Sequence, residues 1–113
     1  MLVSMELAKH HLRVDPDYPD SQVSVYLGAA ERLAEEFMNR KVYATAEDMA
    51  AAILSGDAGE SPIVANDLIL AAILLMLGHL HSNRENTVVG ATVSTIPTGF
   101  EDLLRPFRLG MGV

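Results

Sequence analysis

Apolar residues recur along this chain in blocks with helical spacing, separated by short polar breaks. Ser4 is placed to cap a short first helix that ends near Leu12. The stretch "RVDPDYPD" breaks it with two prolines and three aspartates. Asp20 is then expected to accept hydrogen bonds from the free N–H groups of the next helix. Val23, Tyr26, Leu27, Ala30, Leu33, Ala34, Phe37 and Met38 form the apolar stripe of that second helix. Glu31, Arg32, Glu35, Glu36 and Asn39 read as its solvated face.

A third helix is predicted after Thr45, with Ala46, Met49, Ala50, Ile53 and Leu54 as its stripe and Gly56 as its stop. "SGDAGES" reads as a surface loop. Two starts compete for the fourth helix: Ser61-Pro62, a cap followed by proline at the first helical position, and Asn66 or Asp67. This helix runs to about Arg84 and is apolar nearly all round, so other elements are expected to surround it and Leu74 to be deeply buried. "NTVVGATVSTIP" changes character: rich in Val and Thr, it predicts an extended arm or weak hairpin over about residues 86–97. Thr98 and Glu101 make a capping box for a last short helix whose apolar face is Phe100, Leu103 and Leu104. Pro106 ends or kinks that helix, and residues 109–113 form a short tail.

The predicted fold is therefore all-α: a bundle of four to five helices around a buried central helix, with an extended arm before the last one. The 113 residues fit a single domain. The absence of Trp and the few Phe and Tyr agree with a helical core of Ala, Leu, Ile, Val and Met. Without Cys there is neither a disulfide framework nor a thiolate metal site. A net charge of −7, with eight scattered basic residues, argues against tight DNA binding by the monomer. No basic region followed by an apolar segment marks a signal peptide. The apolar run ending at Leu80 is shorter than the roughly 20 residues that span a membrane.

The one stretch that invites a chemical reading is "LGHLHSNRE", residues 77–85. His79 and His81 are two apart, which turns them to opposite sides of a helix, whereas a helical metal pair needs a spacing of three or four. His10 and His11 are adjacent and fare no better. Ser82 cannot share one helix with an aligned base and orienting acid. No nucleophile elbow, phosphate loop or dinucleotide fingerprint occurs. Catalytic, cofactor-binding and metal-ligating residues are all expected to be absent. His81 and Arg84 suit the carbonyl end of the helix instead.

The order of features resembles the head–tail connector, or adaptor, family of tailed bacteriophages. "VSMELAKHHLRVDPDYPD" is similar to the family's opening, "VYLGAAERLAEEFMNRKVY" to its second helix and "LILAAILLMLGHLHSNRE" to its central helix. "IPTGFEDLLRPFR" resembles its closing motif of Pro, then Leu-Leu-x-Pro-aromatic-Arg. His81 departs from the aromatic usual at its position, and residues 45–60 match nothing in the pattern.

The resemblance implies a structural subunit, not an enzyme, that forms a homo-oligomeric ring, twelvefold in the virion. The ring docks on the portal protein at the head–tail junction and receives the next head-completion or tail protein. DNA passes through its lumen unread, and the subunit exists in the host cytoplasm during assembly. No membrane or cofactor is implied. On this reading Arg84 and Glu85 form a hinge that pairs across a heterologous subunit interface. Val88, Val89 and Val93 belong to an arm that pairs with a neighbouring chain. Phe107 and Arg108 lie near the surface and contact an adjacent subunit or the portal. The rival reading is a small acidic helical adaptor that binds one protein partner in a groove.

Overall fold

The structure, a computed structural model, describes residues 2–59, 61–82 and 98–109. The described elements are α1 (Met5–Leu12), α2 (Asp20–Met38), β1 (Val42–Tyr43), α3 (Ala46–Ser55), β2 (Ile63–Val64), α4 (Asp67–Ser82) and α5 (Thr98–Leu104). A 3₁₀ turn, Arg105–Phe107, follows α5. The fold is mostly helical, with α1, α2 and α5 packed on α4 and the α2–α4 contact the largest.

Local chemistry accounts for most element ends. The Ser4 hydroxyl accepts from the Leu7 N–H at 3.1 Å, and Arg13 closes α1 in the left-handed region at φ 59°. Asp20 does not cap α2. Pro19 occupies the cap position, so Asp20 lies one residue inside the helix, where its carboxylate pairs with the Lys9 ammonium. Its charge still sits at the positive end of the helix dipole. Lys9 also donates to the Pro16 carbonyl at 3.0 Å, tying the proline turn to α1.

Asn66 wins the contest for the start of α4. Its Oδ1 accepts from the Ile69 N–H at 3.0 Å. This later start leaves Ile63 and Val64 free to form β2, which pairs in parallel with β1 in the register Val42↔Ile63 and Tyr43↔Val64. The bonds are Ile63 N–H to Lys41 C=O at 3.0 Å and Ala65 N–H to Tyr43 C=O at 2.8 Å. Two-residue strands carry too short a pattern to be read from alternation, and the sequence reading missed both.

The core is one cluster. α2 contributes Val23, Leu27, Ala30, Ala34 and Met38, and α4 contributes Ile69, Ala72, Ile73, Met76, Leu77 and Leu80. Phe100 and Leu104 of α5 complete it, with the Phe100 ring 6.2 Å from that of Phe37. α4 is less enclosed than its composition predicts. Its buried residues recur at intervals of three and four, which is one stripe, and Leu74 stands beside that stripe and is only half-buried. Leu68 and Leu75 remain 46% and 38% exposed. Gly99 lets α5 come close here: a Cβ on it would stand 3.0 Å from the Leu75 side chain.

A further finding concerns α3. Thr45 and Gly56 cap it as expected, with the Thr45 hydroxyl accepting from the Asp48 N–H at 3.1 Å and Gly56 at φ 82°. Yet no residue of α3 is buried, and the stripe of Ala46, Ala50, Ile53 and Leu54 faces outward. In the following loop, Ala58 is buried and Lys41 donates to the Asp57 carbonyl at 2.7 Å. Pro106 sits in the 3₁₀ turn, so regular helix ends where the sequence places the break. The Thr98 side chain lies outside the description, and with it the capping box. Glu101 faces Arg105 at 3.9 Å.

Candidate interaction surfaces

The C-terminal end of α2 is where distant parts of the chain meet. A helix leaves its last carbonyls without intrahelical partners. Here the closing segment supplies them. Arg108 Nε donates to the Phe37 carbonyl at 2.9 Å, and the Leu109 N–H donates to the Met38 carbonyl at 2.9 Å. The Arg108 guanidinium also lies 5.0 Å from the Phe37 ring centre, a cation–π contact. Asn39, left-handed at φ 59°, donates from Nδ2 to the Leu109 carbonyl at 3.2 Å. Arg40 bridges two segments, with Nε 2.8 Å from the Ser61 carbonyl and Nη1 3.2 Å from the Phe107 carbonyl.

Phe107 and Arg108 are thus brought together at this end of α2. Arg108 is exposed, while Phe107 is half-buried against the core. Both also serve the subunit itself, so their removal would not leave its fold untouched. Arg84, Glu85, Val88, Val89 and Val93 lie outside the described residues.

Two acids read as solvated face prove to be fasteners. Glu31 Oε2 accepts from the Leu2 and Val3 N–H groups at 2.8 and 3.1 Å. Glu35 Oε2 accepts from the Val42 N–H at 2.8 Å and so sets the start of β1. Both carboxylates are half-buried. Each follows a buried alanine, Ala30 or Ala34, so each stands at the border of the apolar stripe, a signal available in the spacing. Arg32 and Glu36, one step further round, form an exposed pair at 3.3 Å, as a solvated face requires.

Of the histidine stretch, the structure describes residues 77–82. Among the described residues no group of three His, Asp or Glu could hold a metal ion. His81 is half-buried with its ring edge-on to Tyr18, the centroids 6.1 Å apart, and among the described residues its buried Nδ1 has no hydrogen-bond partner. Tyr18 donates to Gln22 at 3.0 Å. An imidazole packed on an aromatic ring fills the place that the resembled pattern gives to an aromatic residue. Among the described residues no helix is long and apolar enough to cross a membrane.

The fold that carries these surfaces is a mostly helical bundle, capped and fastened at its ends. Residues 3–108 match the family model described as phage gp6-like head-tail connector protein, and the chain belongs to that family. Membership makes it a structural protein of phage assembly, with its place in the virion. No curated protein matches the chain, and no solved structure does.

Proposed function

We propose that the chain is the repeating subunit of a ring, twelve copies in the virion, that docks on the portal and receives the next head-completion or tail protein. The observation that carries this reading is the family match over residues 3–108. The subunit acts by position and not by catalysis, and it assembles in the host cytoplasm before it enters the virion. Charge supports a passive lumen: at −7, a ring of such subunits repels the phosphate backbone and lets DNA slide without being read.

In this proposal Arg84 and Glu85 pair across the heterologous subunit interface, and Val88, Val89 and Val93 pair with the neighbouring chain. Phe107 and Arg108, held at the end of α2, present their exposed edges to an adjacent subunit or the portal. The test is to mix the purified chain with the portal of its phage and weigh the complex, alongside a phage lacking the gene. The expected results are several copies of the chain per portal, and DNA-filled heads that join no tails. A chain that leaves the portal bare, or a gene-deleted phage with normal tailed particles, would contradict the reading.

A further inference from the structure

The last turn of α2 and the closing segment exchange hydrogen bonds in both directions. The closing segment gives Arg108 Nε to the Phe37 carbonyl and the Leu109 N–H to the Met38 carbonyl, each at 2.9 Å. The end of α2 gives back Asn39 Nδ2 to the Leu109 carbonyl and Arg40 Nη1 to the Phe107 carbonyl, each at 3.2 Å. A basic side chain near a helix C-terminus ordinarily turns to the carbonyls of its own helix. Arg40 does not. Its side chain reaches Ser61 and Phe107, which stand 21 and 67 positions away.

The closing segment depends on such partners for its place. A 3₁₀ turn of three residues, Arg105–Phe107, has little stability of its own. Pro106 keeps the regular helix of α5 from carrying its order further, and Phe107 is only half-buried. Arg40 is itself half-buried, with its Nε fixed at 2.8 Å on the Ser61 carbonyl, in the segment that leads into β2. Its planar guanidinium thus spans two carbonyls with two different nitrogens. A lysine ammonium, a single point charge, does not hold two such partners in one fixed geometry.

We propose that Arg40 is a positioning residue for assembly: it ties the closing segment to the β1–β2 side of the subunit, so that Phe107 and Arg108 meet their partner in one orientation. Asn39, held left-handed at φ 59°, assists from the preceding position. Contact residues that are already in place lose less conformational freedom on binding than ones that must first be ordered. Arg40 acts through the segment and not by touching the partner. The inference rests on the head–tail connector reading and on the place given there to Phe107 and Arg108.

The test loads the portal ring of the same phage with the full chain and reads the chain concentration at which the portal is half-loaded. The native chain is compared with Arg40→Lys, which keeps the charge and loses the fork, and with Asn39→Gly, which keeps the left-handed backbone and loses the Leu109 contact. Arg32→Lys, in an exposed pair with Glu36 on the same helix, is the control. Amide exchange in the free chains is the second readout. In Arg40→Lys the Leu109 amide should exchange roughly tenfold faster or more, while the amides of α4 keep their native protection. Half-loading should then need roughly tenfold more chain. Asn39→Gly should shift both readouts the same way by less, and the control should move neither. If Arg40→Lys loosens α4 as well, Asn39→Gly decides the matter by the same two readouts.

Faster Leu109 exchange with unchanged loading would overturn the inference and leave the connector reading intact. Native Leu109 exchange in both variants would overturn it too, since the closing segment would then be held without Arg40 and Asn39. Weaker loading with native Leu109 exchange would make Arg40 a contact residue and refute the positioning role. A native chain that leaves the portal bare would overturn the connector reading, and the inference with it.

Discussion

α3 and α4 are both helices rich in aliphatic residues, and their fates differ. α4 buries six side chains in the core, while α3 buries none. The difference does not lie in their stripes, since both recur at three and four. It lies in what the chain brings alongside them. α2, α1 and α5 all pack on α4, whereas among the described elements α3 leans chiefly on two two-residue strands. Helical periodicity identifies a face that water disfavours, but it does not say whether the cover comes from the same molecule.

The largest expected effect breaks the comparison if it fails. Leu77 of α4 is fully buried, so Leu77→Ala should cost about 2–5 kcal/mol of unfolding free energy. Leu54→Ala in α3 should stay within about 0.5 kcal/mol, as for other surface positions. Denaturant melts of the two variants give both numbers. Equal losses would mean that α3 is packed in the free subunit.

A middle-sized effect is expected at Glu31. Glu31→Gln keeps the shape but removes the charge that receives two backbone N–H groups, at 2.8 and 3.1 Å. Because charged hydrogen bonds are the stronger ones and this site is only half-buried, about 1–2 kcal/mol is expected, with residues 2 and 3 exchanging their amide protons faster. Unaltered exchange at those amides would show that the N-terminal segment is held by packing alone. A similar or slightly smaller loss than at Glu31 is expected for Arg108→Ala. An exposed arginine with one carbonyl bond and one cation–π contact should contribute about 0.5–1.5 kcal/mol. No loss at all would leave Arg108 free for assembly contacts only.

Much of this was legible in the sequence because it is local. Ser4, Thr45, Gly56 and the break at Pro106 work within one turn of chain, and they fall where their types predict. The spacing of Val23, Leu27, Ala30, Ala34 and Met38 marked the buried side of α2. What escaped is long-range. Arg40 reaches Phe107 across 67 positions and Arg108 reaches Phe37 across 71, and no spacing rule encodes such partners. The acids at positions 31 and 35 were read as solvated because charge usually means solvent, but they border the stripe and find backbone donors. Asp20 was displaced from its cap by one residue because Pro19 already stood there. Of the candidate interface, the sequence brought forward Phe107 and Arg108, and it marked α3's stripe without saying what covers it, because a stripe carries no sign of its partner.

The account is tested most directly by hydrogen exchange across α3 and α4 in the free chain. Strong protection of α4 is expected, together with weak protection of α3. An α3 as protected as α4 would contradict the account.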